Sequence, residues 1–173
     1  MLLDLTFNYI GDAGAAALAE LLATTETLVS LGVGLSKLSD TALVSLAGAL
    51  RDNTTVERLN ICSNSAGTAG MLALAEALRH NTTLQHINIT DLEHYTVVEP
   101  ADPAGGIAVA EALGANSGLL SFQWYGPLCV PRDEGAVEAL ALALRSNTSL
   151  RMLDIRFVTP IFIGSLLLRW FNC

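Results

Sequence analysis

A chain of 173 residues, 51% hydrophobic and 15% charged, is sized and composed for one globular domain rather than a disordered segment. Its net charge of −8, with nine basic residues of which only Lys37 is lysine, argues against a phosphate-tracking surface and so against a nucleic-acid partner. Mean hydropathy is high at +0.47, yet no apolar run approaches the roughly 18 residues that cross a membrane, so no membrane partner is expected.

In chain order, the first predicted element is a clipped strand carrying Leu3 and Leu5, followed by the helical pattern GAAALAELLATT. Leu28, Leu31 and Val33 mark the next strand and ALVSLAGALRDN its helix; Val56, Leu59 and Ile61 precede GMLALAEALRHN. Leu84, Ile87 and Ile89 precede GGIAVAEALGAN, and Leu119, Phe122 and Trp124 precede AVEALALALRSN. Leu150, Leu153 and Ile155 form a sixth strand. The last two apolar positions of each strand are two residues apart, the period of an extended chain with one face buried. The helices share two apolar columns on one face: Leu18, Leu46, Leu74, Val109 and Leu140, then Leu22, Leu50, Leu78, Leu113 and Leu144. An alanine follows the first column each time, at Ala19, Ala47, Ala75, Ala110 and Ala141, where a methyl group lets a helix lie close to its neighbours.

The units start near residues 1, 28, 56, 84, 119 and 150, a repeat of near-28 residues that lengthens in its fourth and fifth steps. No single strand and helix can cover its own apolar face, so neighbouring units must stack. Asn53, Asn81, Asn116 and Asn147 stand three residues after the second column, with Thr25 in the first unit. Asparagine tolerates the left-handed backbone that ends a helix, so each is predicted to terminate one. That explains three of four N-x-S/T tripeptides as recurring turns, at Asn53, Asn81 and Asn147; the fourth, at Asn88, lies inside a strand. Asp4 breaks the apolar start, so no signal peptide is predicted. Three scattered cysteines, Cys62, Cys129 and Cys173, suggest neither a disulfide framework nor a metal site, and a reducing, cytoplasmic setting is expected.

LDLTFNYIGDAGAAALAELL, residues 3 to 22, and VERLNICSNSAGTAGMLALAEAL, residues 56 to 78, resemble ribonuclease-inhibitor-like leucine-rich repeats, the type also found in NOD-like receptors and Ran GTPase-activating proteins. The resemblance covers roughly residues 1 to 158. The turn asparagine of that pattern is present as Asn8 and Asn64 and replaced by Ser36, Leu92, Pro127 and Val158. It implies an α/β fold: a right-handed leucine-rich-repeat solenoid, or horseshoe, with parallel strands on the concave face and helices on the convex face. The expected organisation is a repeat domain over 1–158 and a divergent apolar tail or cap over 159–173. Because the first unit is clipped, a fragment of a larger repeat protein is expected.

In such a solenoid the polar strand positions face the concave side. The candidate protein-binding residues are Arg58, Asn60, His86, Asn88, Gln123, Tyr125, Asp154 and Arg156. Arginine and tyrosine combine apolar contact with a hydrogen-bonding tip, which suits interfaces. Two longer strand-to-helix connections, residues 91 to 105 and 126 to 135, add the rim candidates His94, Tyr95 and Arg132. No catalytic constellation emerges, since Cys62 has no evident base beyond His86, and His86 with His94 lacks further metal ligands. No metal or cofactor is implied. The expected function is a non-enzymatic protein-protein interaction module with another protein as partner. The resemblance also permits a GTPase-activating regulatory protein or the sensing region of a NOD-like receptor.

Overall fold

In a computed structural model of the chain, residues 1–64, 67–90, 104–125, 134–158 and 163–168 are described, with side chains over 1–64, 67–90, 104–124 and 138–155. Strand and helix alternate in chain order: β1 (Leu2–Asp4), α1 (Gly11–Thr24), β2 (Ser30–Gly32), α2 (Asp40–Arg51), β3 (Arg58–Asn60), α3 (Thr68–His80), β4 (His86–Asn88), α4 (Ala104–Ala115), β5 (Ser121–Tyr125), α5 (Glu134–Ser146), β6 (Met152–Val158) and β7 (Ile163–Leu168). The strands form one sheet in sequential order, and β1 to β6 are all parallel. β7 departs from the repeat: it pairs antiparallel with β6, from Val158 opposite Ile163 to Leu153 opposite Leu168. Part of the apolar 159–173 stretch thus extends the sheet by one strand.

The register carries the repeat into three dimensions. Leu3, Leu31, Leu59, Ile87, Phe122 and Leu153 are lateral neighbours, and all but the half-buried Leu3 are buried. They pack in one cluster with the helix columns, in which Leu18, Leu22, Leu46, Leu50, Leu74, Leu78, Val109 and Leu113 are also buried. Each such leucine contributes on the order of 1.5–3 kcal/mol by leaving water, and only lateral stacking removes it from water. In the fifth strand the aliphatic pair becomes Phe122 and Trp124, whose rings meet edge to face at 5.9 Å.

Ala47, Ala75 and Ala110 are buried as their column requires, whereas Ala141 on α5 is exposed. The closest approaches of helices fall elsewhere. A Cβ on Gly70 would come within 2.9 Å of Leu43 Cβ, and one on Gly105 within 2.9 Å of Met71 Cβ. Gly14, Ala42, Gly70 and Gly105 occupy one small-residue column, four residues before the first apolar column.

The asparagine column behaves differently from the expectation that it adopts left-handed backbone. Among the described residues, none of Asn53, Asn81, Asn116 and Asn147 has a positive φ, and Asn81 is extended at φ −76°, ψ 122°. The left-handed residues lie at the other end of the unit, in the strand-to-helix turn: Phe7, Leu35 and Ser63, one period apart, with Tyr9 and Lys37. The asparagines work through their side chains. Asn81 Nδ2 donates to the carbonyls of Leu50 (2.7 Å) and Asn53 (2.8 Å) in the preceding unit, while its Oδ1 accepts from the N–H of Thr83 and Leu84. Asn116 repeats this with Leu78, Asn81, Gly118 and Leu119. Asn147 does so with Leu113, Asn116, Ser149 and Leu150. The result is a hydrogen-bonded ladder that satisfies helix-end carbonyls and linker amides inside the stack.

A second set of bonds ties the helix starts together. Asp12 accepts from the Ser39 N–H and hydroxyl, and Asp40, one period on, accepts from the N–H of Gly67 (2.6 Å) and Gly70 (2.9 Å). Asn64 joins the second and third units by accepting from Ser36 and Leu38 and donating to Val33. Both ends of each early unit are therefore held to the next.

Candidate binding face

The sheet surface opposite the helices is formed by the strand residues that alternate with the buried ones. One row reads Leu2, Ser30, Arg58, His86, Ser121 and Met152 across the six parallel strands; the next reads Asp4, Gly32, Asn60, Asn88, Gln123 and Asp154. Arg58 and His86 are therefore lateral partners at the centre, as are Asn60 and Asn88. These side chains, out to Gln123, line a shallow depression of about 340 Å³ that runs from β1 to β5. The first row is apolar at both ends, where Leu2 is 70% and Met152 43% exposed, and polar between them.

Hydrogen bonds fix how the second row presents itself. Asp4 Oδ1 accepts from Thr6 N–H, Asn60 Oδ1 from Cys62 N–H and Asn88 Oδ1 from Thr90 N–H, all at 3.0–3.1 Å. Each side chain thus closes a small turn on its own backbone two residues ahead. Sequence reading placed Asn60 and Asn88 on the face but missed that their acceptor oxygens are already engaged. The spacing x-Asn-x-Cys or x-Asn-x-Thr, with a polar residue ending a strand, was the available signal. The Thr6 hydroxyl and backbone N–H hold the Asp4 carboxyl below the usual carboxylate range. Asp4 also leans over Gly32, where a Cβ would lie 2.6 Å from its Oδ1.

Arg58 has a 55% exposed side chain, with the exposed Glu57 carboxylate at 4.0 Å, a pair of little energetic weight. His86, Asn88, Gln123 and Asp154 are half-buried. Cys62 lies over Gly34, just past the end of β2, and so leans away from β4 and His86; the two do not form a nucleophile and base pair. Burial pushes the Cys62 thiol pKa up. Among the described residues no three His, Cys, Asp or Glu side chains are grouped to hold a metal, and no helix is long and apolar enough to cross a membrane. Tyr125 and Arg156 are lateral partners in backbone register, their side chains lying outside the described set. His94, Tyr95 and Arg132 fall outside the described residues.

No protein-family model matches the sequence, and no curated protein matches it. Solved structures do match the fold. A structure titled "Leiomodin-1 Actin-Binding Site 2 (ABS2)" is similar over 83% of this chain and 80% of its own, with a TM-score of 0.64 and 21% sequence identity. At that identity the likeness concerns the arrangement of strands and helices.

Proposed function

We propose that this chain is a non-enzymatic protein-binding module of the ribonuclease-inhibitor-like leucine-rich-repeat type. In this reading the stack is a right-handed horseshoe, its open sheet face is the concave wall, and the partner protein seats on that wall. The supporting observation is the group of partly exposed polar side chains, Arg58, Asn60, His86 and Asn88, at the centre of the six-strand open face, carried by strands that two hydrogen-bonded ladders hold in register. A frame already ordered before association loses little conformational entropy on binding. The similar structure is titled an actin-binding site, which makes actin the first protein to assay.

The reading includes a cytoplasmic setting. Its support is that the amide nitrogens of Asn53, Asn81 and Asn147, the atoms an N-linked glycan would occupy, are engaged in the ladder. The test is capture of actin, and of proteins cross-linked in cytosol, by the chain and by a variant with Arg58, Asn60, His86, Asn88, Gln123 and Asp154 replaced by alanine. Loss of capture at unchanged helicity is expected. Equal capture by both would remove the open face from the mechanism.

A further inference from the structure

The middle of the open face offers hydrogen-bond donors almost exclusively, and this specifies what a partner must bring. Resting on the binding-face reading above, we propose that the partner presents a single carboxylate side chain, Asp or Glu in an otherwise uncharged segment, to the four-residue centre formed by Arg58, His86, Asn60 and Asn88.

The argument starts from the two asparagines. Only an oxygen can accept the backbone N–H of Cys62 and Thr90, so the bonds at 3.1 and 3.0 Å fix the amide orientation of Asn60 and Asn88. With Oδ1 turned to the backbone, each Nδ2 group, with its two N–H donors, is the part left for a visitor. Beside them in register stand Arg58, which has donors and no acceptor, and His86, whose ring supplies a further N–H. Four neighbouring residues on two adjacent strands thus line one depression and offer it donors. A carboxylate, with two oxygens and about four lone-pair directions, is the protein group that matches this number of donors, and the guanidinium can engage it through two N–H groups.

The ends of the rows limit how acidic the partner can be. Asp154 on β6 stands two and a half strand spacings from the centre, about 12 Å, whereas the Asp4 carboxyl leans from β1 over Gly32 on β2, roughly one and a half to two spacings away, about 7–10 Å. With a screening length of roughly 8 Å at physiological salt, a single central carboxylate is shielded from Asp154 and partly from Asp4, while a uniformly acidic segment would place negative charge directly against both. Leu2 and Met152, exposed beyond the polar centre, suit apolar residues on either side of the acid.

The experiment uses the whole chain labelled with ¹⁵N and three synthetic peptides, acetyl-Leu-Ser-Ser-Ser-Glu-Ser-Ser-Ser-Leu-amide, whose leucines lie about 13 Å either side of Glu when extended, and its counterparts with Gln or Lys in place of Glu. The expected result is a saturable shift of the Asn60 and Asn88 side-chain amide signals and the Arg58 Nε–H signal with the Glu peptide. Affinity should fall at least fivefold for the Gln peptide, and at least fivefold for the Glu peptide on the Arg58→Gln variant. Equal or larger shifts with the Gln or Lys peptide would overturn the carboxylate assignment while leaving the face a binding surface. Absence of shifts with all three would also overturn it, and the alanine capture assay above then decides separately whether the face binds protein at all.

Discussion

The side-chain amide of Asn81 donates to the backbone carbonyl of Asn53 at 2.8 Å, so equivalent residues of consecutive units are joined at a site where Asn81 is 2% exposed. Replacing Asn81 with alanine would strand the carbonyl of Asn53 and the N–H groups of Thr83 and Leu84, and would take one donor from the Leu50 carbonyl, which keeps the Asn53 N–H. Unsatisfied buried groups of this kind cost about 1–3 kcal/mol each when they find no water, with partial relaxation reducing the sum. The expected loss for Asn81→Ala is about 2–4 kcal/mol by urea unfolding. Asn81→Asp keeps the accepting half but turns carboxylate oxygen against two carbonyls, so it should be no better tolerated at pH 7. A loss below about 1 kcal/mol for both would show that the ladder bonds are dispensable.

Two glycines in adjacent helices should respond in opposite directions. Gly48, in α2, is exposed, and a Cβ there meets nothing within 4 Å, so Gly48→Ala should stabilise by about 0.5–1 kcal/mol through backbone entropy. Gly70, in α3, is buried, and a Cβ there would lie 2.7 Å from Asp40 Oδ1 and 2.9 Å from Leu43 Cβ. Gly70→Ala must push α3 from α2 or break the Asp40 bonds, and about 1–3 kcal/mol of destabilisation is expected. Thermal unfolding of the two variants beside the parent checks the sign of each.

The strands and helices were legible because their signal is one-dimensional. Leucine at fixed intervals marks the buried face of strand and helix alike, and the columns from Leu18 to Leu144 coincide with the observed helices. What was not legible is lateral. The carbonyls to which Asn81 donates lie 28 and 31 residues away, out of reach of any local reading, and the left-handed backbone expected of it occurs at Phe7, Leu35 and Ser63 instead. The open-face row was likewise readable as positions, since alternation places Asn60 and Asn88 there. That their oxygens turn back to Cys62 and Thr90, leaving donors outward, is a matter of side-chain rotation. The antiparallel β7 carries no copy of the repeat, and its stretch lacks the alternation that marks the other strands.

Acid should loosen the helix starts before the core. The Ser39 hydroxyl, then the Ser39 N–H, hold the Asp12 carboxyl below its ordinary value of 3.8. A depressed folded-state pKa means that the bond's contribution is present above the unfolded value and is lost as pH falls through the folded one. The urea midpoint of the parent should therefore exceed that of Asp12→Asn most at pH 6, with the gap closing as pH falls below about 3.8. A gap independent of pH would mean that the charge on Asp12 adds nothing to its bonds with Ser39.

Sending the chain through the secretory pathway behind a cleavable leader should expose the conflict between the ladder and the N-x-S/T tripeptides. Glycan transfer precedes folding and replaces a hydrogen on Nδ2, and in the folded chain that nitrogen is 2.8 Å from Leu22 O in Asn53 and 2.6 Å from Leu113 O in Asn147. A sugar at Asn53 or Asn81, 6% and 2% exposed, cannot be housed without opening the stack. Secreted chains modified there should be retained and protease-sensitive, whereas Thr55→Ala, Thr83→Ala and Ser149→Ala together keep all three asparagines, abolish the acceptors and restore secretion. Asn88 differs because its side chain belongs to the open face, so a glycan there should be compatible with folding and should block the binding centre it adjoins. Mass spectrometry of protease-resistant secreted material settles the matter: a glycan on Asn81 in folded chains would show that the ladder tolerates what its geometry forbids.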